Sequence, residues 1–190
     1  MGLPRKSWRG ALAYKRSPDE NRQRTEALFH GPLWKSLNRG ELTQQEAEWA
    51  YQAQFGLSAE ETKRLFFHIM DHLEAIDGTE EIAHRLRKAG YRVFALSDNV
   101  HEIVAYLKTR HQFWRAFEGA VTSAEIGILK PDPAIFRHAI EKYNLLAEET
   151  VFFDDVEANL DGACSTGMEA RIFTTPSQCV EDLQALGLSF

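Results

Sequence analysis

The 190-residue sequence has few cysteines, no long apolar run and no excess of positive charge. Cys164 and Cys179 are its only cysteines, and they match no metal-binding pattern, which favours a reducing, cytoplasmic setting. No apolar run approaches the roughly 20 residues of a membrane span, and no secretory signal is visible. The net charge of −6 argues against general nucleic-acid binding. We therefore expect a cytoplasmic globular protein with neither membrane nor nucleic-acid partners.

Charge is unevenly distributed along the chain. Residues 1–24 contain seven Lys/Arg and two Asp/Glu, a balance of +5 that leaves −11 for the remainder. We treat these residues as a separate basic segment. A chain of this length can bury about 70% of its extended-chain surface. One domain with a small additional subdomain is therefore expected.

Residues 25–75 have the pattern of a small helical bundle. Thr43 with Glu46, and Ser58 with Glu61, each form the capping-box pattern that begins a helix. Gly56 lies where the first of these helices should end. The bundle would bury apolar residues from both helices, namely Trp49, Phe55, Leu65, Phe66 and Ile69.

Residues 76–190 alternate between strand and helix patterns. The predicted strands are YRVFALS, GAVTS, TVFF and EARIFTT, and helical segments separate them. One of these helices, DPAIFRHAIEKYN, has Asp132 placed to cap it and Pro133 at its first position. Such alternation predicts an α/β fold with a doubly wound parallel sheet and helices on both faces. Ligands of such sheets bind beyond the carboxyl ends of the strands.

Polar residues stand at three of these strand ends. Ser97-Asp98-Asn99 follows one strand, Lys130 precedes Pro131, and Asp154-Asp155 ends the strand TVFF. Each group has an ordinary alternative role: a helix cap for Ser97, a surface lysine before a turn for Lys130, and turn or cap residues for the two acids. Adjacent carboxylates repel by roughly 4 kcal/mol at ~4 Å and an effective dielectric of about 20, so a cation is expected nearby.

The chemistry of these residues suits a phosphate and a metal ion. A serine hydroxyl beside helix N-terminal N–H groups can bind a phosphate, and a lysine supplies a point charge for phosphate and carboxylates. Paired carboxylates can hold Mg²⁺, which prefers oxygen ligands and keeps several waters. Asn159, four residues after Asp155, would face the same cleft.

Three segments carry a family resemblance. FALSDN, GILKPDPAIF and VFFDDVEANLDGA closely resemble motifs two, three and four of the haloacid-dehalogenase (HAD) superfamily. The resemblance extends from about Ala27 to Thr174, and LNRGELTQQEA resembles the small helical cap of the phosphatase-like members. It implies a Rossmann-like HAD core over residues 76–190, with residues 25–75 as the cap. Dehalogenase members need no metal, so the paired acids favour the phosphatase branch.

The resemblance also implies roles for individual residues. Ser97 would bind the transferred phosphoryl group, with Asp98 and Asn99 beside it in the phosphate-binding segment. Lys130 would stabilise both the nucleophile and the phosphate. Mg²⁺ would be coordinated by Asp155, supported by Asp154 and Asn159. The implied substrate is a small phosphomonoester, such as a sugar phosphate or similar metabolite.

The nucleophile of that family is not found in this sequence. Family members begin with an apolar strand ending in Asp-x-Asp, whose first Asp attacks phosphorus while the second serves as acid and base. The only acids before residue 25 are Asp19 and Glu20, and no apolar run leads into them. The chain is then either a truncated phosphatase whose start lies upstream, or a non-catalytic member that binds phosphate or a protein partner.

The missing strand would lie in the middle of the sheet, so its loss would leave two inner strands without a neighbour. The segment WRGALAYK, residues 8–15, could serve as a substitute strand, with Lys15-Arg16 standing where the acid should be.

Two other protein classes fit the sequence less well. Receiver domains share the sheet, the acid pair, the Ser/Thr and the Lys, but their acids come first in the chain. A nucleotide-binding Rossmann enzyme would carry G-x-G-x-x-G, which does not occur here.

Overall fold

A computed structural model of the protein describes residues 18–71 and 73–190. Most of the basic segment 1–24, and the whole of the substitute strand predicted at residues 8–15, lie outside the described residues. None of the described helices combines the length and the apolar character that crossing a bilayer would require.

The first four helices form a helical unit: α1 (Pro18–Phe29), α2 (Pro32–Asn38), α3 (Gln44–Phe55) and α4 (Ala59–Asp71). Both predicted capping boxes are confirmed. The Thr43 side chain accepts a hydrogen bond from the Glu46 backbone N–H, and the Ser58 hydroxyl accepts one from the Glu61 N–H. Gly56 ends α3 in the left-handed conformation at φ 64°, which glycine adopts without the steric cost of a Cβ.

The helical unit buries an apolar core that also includes Val100, Ile103 and Leu107 from the following part of the chain. Leu65, Phe66 and Ile69 are buried as predicted, whereas the prediction for Trp49 is wrong because its surface is 59% exposed. Helix α3 instead packs through Ala47 and Tyr51. Ala47 and Tyr51 are four residues apart and lie on the same helix face, whereas Trp49, midway between them, lies on a different face.

The rest of the chain alternates strands with helices. Its elements are α5 (Thr79–Lys88), β1 (Phe94–Ser97), α6 (His101–Arg110), β2 (Gly119–Thr122), α7 (Ser123–Ile126), α8 (Pro133–Tyr143), β3 (Val151–Asp154), α9 (Glu157–Cys164), β4 (Glu169–Ile172) and α10 (Pro176–Ala185). Short 3-10 helices cover Gln112–Ala116 and Ala147–Glu149. The Asp132 side chain caps α8 at Ala134 N, and Pro133 is its first residue, both as predicted.

Helices pack on both faces of the strands. Phe152 of β3 packs with the core formed by β2, α8 and α9, whereas its neighbours Val151 and Phe153 pack with α5 and α10. Successive strand residues point to opposite faces, so β3 separates two helical layers. This arrangement is the predicted α/β architecture.

The strands form two parallel pairs. Among the described residues β1 pairs only with β2, and β3 only with β4. The prediction of one continuous sheet is therefore not met within these residues. The substitute strand predicted to stand beside the inner strands falls at residues 8–15, outside the described residues. The polar strand ends lie on either side of the division.

Candidate functional site

Lys130 links the ends of β1 and β3. Its ammonium group donates a hydrogen bond to the Leu96 carbonyl at 3.3 Å and forms an ion pair with Asp154 Oδ2 at 2.6 Å. Only 9% of the Lys130 side chain and 6% of the Asp154 side chain are exposed. The surface-lysine alternative is therefore wrong. Lys130 provides the cation that the paired acids were expected to need.

Asp154 is enclosed by donors. Its Oδ1 accepts hydrogen bonds from Asn159 Nδ2 at 2.9 Å and from the Val156 backbone N–H at 3.0 Å. Burial alone would raise the pKa of the Asp154 carboxyl, but the charge of Lys130 and these hydrogen bonds outweigh burial, and the pKa is lowered. Asp154 is therefore a charged, buried group that holds the start of α9 against Lys130.

The segment after β1 is fixed by hydrogen bonds to its neighbours. Asp98 Oδ1 accepts from the Lys130 backbone N–H at 3.1 Å, and Asn99 Oδ1 accepts from the Val100 N–H at 2.9 Å. Burial raises the pKa of the Asp98 carboxyl. Helix α6 starts at His101 with Val100 as its N-cap, so the helix-cap alternative for Ser97 is wrong.

The Ser97 hydroxyl makes no hydrogen bond within residues 18–71 and 73–190. It stands at the carboxyl end of β1, one residue beyond the carbonyl that Lys130 contacts. The hydroxyl can therefore donate to, or accept from, a bound ligand.

The acids are only a partial metal site by themselves. Asp155 is exposed beside the buried Asp154, and Asn159 reaches Asp154 from α9. The described part of the chain contains no group of three or more His, Cys, Asp or Glu side chains that could hold a metal ion. Magnesium often uses one or two carboxylates and completes its shell with water. The Asp155 carboxylate and the Asn159 amide oxygen are donors of the kind that such an ion takes, whereas both Asp154 oxygens already have partners in Lys130, Asn159 and Val156.

The sequence reasoning missed one buried residue at this end of the sheet. Ser123 follows β2, and its hydroxyl accepts a hydrogen bond from the Asn99 N–H at 3.0 Å and donates one to the Asn38 carbonyl at 2.7 Å. The signal was available, because the segment GAVTS also ends at this edge of the strands.

The buried Asp154 and the half-buried Asp98 should affect stability in opposite directions with pH. Asp154 stabilises the fold when charged. Its contribution is present above the usual pKa of 3.8 and is lost as the pH falls through the lowered folded-state pKa. Burial penalises the charged form of Asp98, so its destabilising effect applies above its raised pKa and disappears as the pH falls.

We therefore expect Asp154→Asn to reduce the free energy of unfolding most near neutral pH, with the deficit shrinking below about pH 4. Asp98→Asn keeps an acceptor for the Lys130 N–H. Its free energy of unfolding relative to that of the wild type should be highest near neutral pH, where the wild-type Asp98 carboxyl is charged. Urea unfolding at pH 7, 4 and 3 measures both differences. A deficit of Asp154→Asn that grows towards low pH would contradict this assignment.

Comparisons with known proteins bear on the identity of this site. The family model described as haloacid dehalogenase-like hydrolase matches residues 7–165. The chain is 24% identical over 161 residues to a protein named sesquiterpene phosphatase astK from Aspergillus oryzae, covering 84% of this chain and 82% of that one. It is 26% identical over 149 residues to drimenol cyclase drtB from Aspergillus calidoustus, covering 77% of this chain but spanning only 28% of that longer protein.

A solved structure shares the fold. A HAD family enzyme from Bacteroides thetaiotaomicron, in complex with magnesium and inorganic phosphate, superposes with a TM-score of 0.72 at 20% identity. The match covers 91% of this chain and 88% of that one. The fold, the sequence motifs and the match over residues 7–165 agree, and the chain belongs to the haloacid dehalogenase-like hydrolases.

Proposed function

We propose that this chain binds the phosphoryl group of a small phosphomonoester at the ends of β1 and β3, in the manner of a magnesium-dependent phosphatase. The observation that carries the proposal is the buried Lys130 ammonium group, which joins Leu96 of β1 to Asp154 of β3 beside the Ser97 hydroxyl. A lysine and a hydroxyl at strand ends suit a phosphate, because both can donate hydrogen bonds to its oxygens.

Each residue has a specific task in this proposal. Ser97 donates its hydroxyl hydrogen to a phosphoryl oxygen, and Lys130 offsets the negative charge of the group. Asp98 holds the Lys130 backbone in place through the 3.1 Å hydrogen bond. Asp155 would hold magnesium, with Asp154 and Asn159 supporting it. A bound magnesium ion supplies charge stabilisation to the phosphoryl oxygens.

A second candidate function is phosphate binding without hydrolysis. Of the acids at the site, Asp98 accepts from the Lys130 N–H and Asp154 is paired with the Lys130 ammonium group. The sequence contains no Asp-x-Asp. These observations favour a chain that binds a phosphorylated ligand but needs a carboxylate nucleophile from elsewhere for turnover.

Magnesium-dependent hydrolysis of p-nitrophenyl phosphate by the 190-residue chain separates the two candidates. If the chain is a phosphatase, Asp155→Asn should lower the magnesium-dependent rate by about ten-fold or more. Loss of a residue that only orients a metal ligand typically costs at least about ten-fold in activity, and loss of the metal ligand itself should cost no less. Asp161→Asn provides a matched control, since Asp161 is an exposed acid on the following helix.

Each outcome of this experiment decides between the candidates. Turnover that falls in Asp155→Asn but not in Asp161→Asn supports the phosphatase. Magnesium and phosphate binding by a folded chain without turnover supports the second candidate. A folded chain that neither binds phosphate nor hydrolyses the substrate contradicts both.

The substrate class is a finer part of the proposal. The family resemblance pointed to a sugar phosphate or similar metabolite, whereas one relative is named a sesquiterpene phosphatase. A panel that pairs sugar phosphates with prenyl monophosphates of similar charge would distinguish the two. Preference for the prenyl compounds would overturn the sugar-phosphate assignment and leave phosphomonoester binding in place.

A further inference from the structure

The helical unit contacts the α/β part of the chain where residues 38–40 meet Ser123 and Ala124, a contact that we term the joint. Gly40 follows α2 at φ 68°, and a Cβ at this position would lie 2.4 Å from the Ala124 carbonyl oxygen. Beside it, the fully buried Ser123 hydroxyl donates to the Asn38 carbonyl at 2.7 Å. The backbone of residues 38–40 therefore lies directly on the start of α7, in a contact that only glycine at position 40 permits.

The same serine reaches the candidate phosphate site. Its hydroxyl oxygen accepts the Asn99 N–H at 3.0 Å. Asn99 lies two residues after Ser97, and the intervening Asp98 holds the Lys130 N–H. A short run of hydrogen bonds thus connects the end of α2, through Ser123, to the residues proposed to bind phosphate.

Ser123 has one hydroxyl hydrogen and two acceptors within reach. The Asn38 carbonyl lies at 2.7 Å and the Asn99 carbonyl at 3.4 Å. With the helical unit in place, the shorter bond to Asn38 takes the hydrogen. If residues 38–40 withdraw, only the Asn99 carbonyl remains as an acceptor. The Ser123 hydroxyl must then turn towards that carbonyl, which disturbs the geometry in which it accepts the Asn99 N–H and weakens that hydrogen bond.

We propose that Ser123 is a positioning residue that couples the placement of the helical unit to the geometry of the Ser97–Asn99 segment. The inference rests on the proposed function for the identity of the ligand, but its structural content does not depend on catalysis. The helical unit also packs on Val100, the N-cap of α6, and on Ile103 and Leu107 within that helix. It therefore borders the segment both at Ser123 and along the helix that follows.

Two glycines allow a matched test. Gly40→Ala and Gly56→Ala place the same side chain at nearly the same left-handed φ, 68° and 64°. At Gly40 the new Cβ meets the Ala124 carbonyl, whereas at Gly56 nothing lies within 4 Å. The two variants therefore carry similar backbone strain, and they differ in whether the joint is pushed apart. Ser123→Ala removes the connecting hydroxyl directly.

The measurement is amide hydrogen exchange followed by NMR on the full chain without ligand. We expect Gly40→Ala and Ser123→Ala to speed exchange of the Asn99 amide by about ten-fold relative to Gly56→Ala, and to shift the Lys130 amide resonance. Because no substrate is present, failure of the phosphatase assay would leave this result unaffected.

Equal exchange at Asn99 in Gly40→Ala and Gly56→Ala, with the Lys130 resonance unmoved, would overturn the proposal. The proposal would also be overturned if Ser123→Ala changed the amide resonances of residues 38–40 but left that of Lys130 unmoved. Ser123→Ala removes the acceptor of the Asn99 amide itself, so in this variant the Lys130 resonance is the decisive readout, whereas Gly40→Ala tests both the Asn99 exchange and the Lys130 resonance.

Discussion

Lys130→Met should lower the free energy of unfolding by about 3 kcal/mol or more at neutral pH, because removing one partner of a buried ion pair leaves the other charge uncompensated. Methionine keeps most of the apolar stem and removes the charge. Asp154 would retain the hydrogen bonds from Asn159 and Val156 but lose the ammonium group 2.6 Å away. Urea unfolding followed by tryptophan fluorescence gives the loss.

Lys142→Met is the matched control for this prediction. Lys142 also pairs with a carboxylate, that of Glu125 at 3.9 Å, but both side chains are more than one third exposed. Its removal should cost no more than about 1 kcal/mol. Adding Asp154→Asn to Lys130→Met should recover part of the stability by removing the unpaired charge. Equal losses in the two lysine variants would contradict the assignment of a buried, coupled pair.

Gly162→Ala should be the most disruptive single-methyl change near the site. Gly162 is buried in α9, and a Cβ there would lie 2.2 Å from the Pro131 carbonyl oxygen and 2.8 Å from the Phe136 ring. The backbone oxygen can move only if the Lys130–Pro131 segment shifts. We expect a net loss of about 1–3 kcal/mol from overpacking, although alanine favours a helix by about 1 kcal/mol over glycine.

The same variant should weaken phosphate binding, because Pro131 adjoins Lys130. Cys164→Ala, an exposed position two residues further along α9, provides the control and should change neither property appreciably. Urea unfolding and phosphate titration on the same preparations measure both effects. A Gly162→Ala chain as stable as the wild type would show that α9 does not approach Pro131 this closely.

Much of the fold followed from local sequence signals. The two capping boxes, the Asp132-Pro133 start of α8 and the left-handed Gly56 depend on neighbouring residues, so the sequence alone could identify them. Trp49 could not be placed in this way. Whether an apolar residue is buried depends on which helix face meets a partner, and α3 packs through Ala47 and Tyr51 instead.

The sequence predicted which residues lie at the candidate site, but not which of them contact one another. The rule that polar residues at strand ends share one edge pointed to Ser97, Lys130 and the paired acids. Partners across the site could not be assigned from order alone. That Lys130 pairs with Asp154, and that Asp98 accepts from the Lys130 N–H, depends on how two loops meet in space. Ser123 could be placed at this edge from the end of GAVTS, but its role could not be predicted, because its partners are the Asn38 carbonyl and the Asn99 N–H, whose positions no sequence pattern gives.

Titration of the folded chain with inorganic phosphate in the presence of Mg²⁺ shows whether Ser97 and Lys130 form a phosphate site at the strand ends. Ser97→Ala should weaken binding about ten-fold, the loss of one hydrogen bond to a charged group. Ser177→Ala, an exposed serine on α10, should leave affinity unchanged. No binding by the wild type, or equal affinity in the two serine variants, would show that these residues do not form a phosphate site.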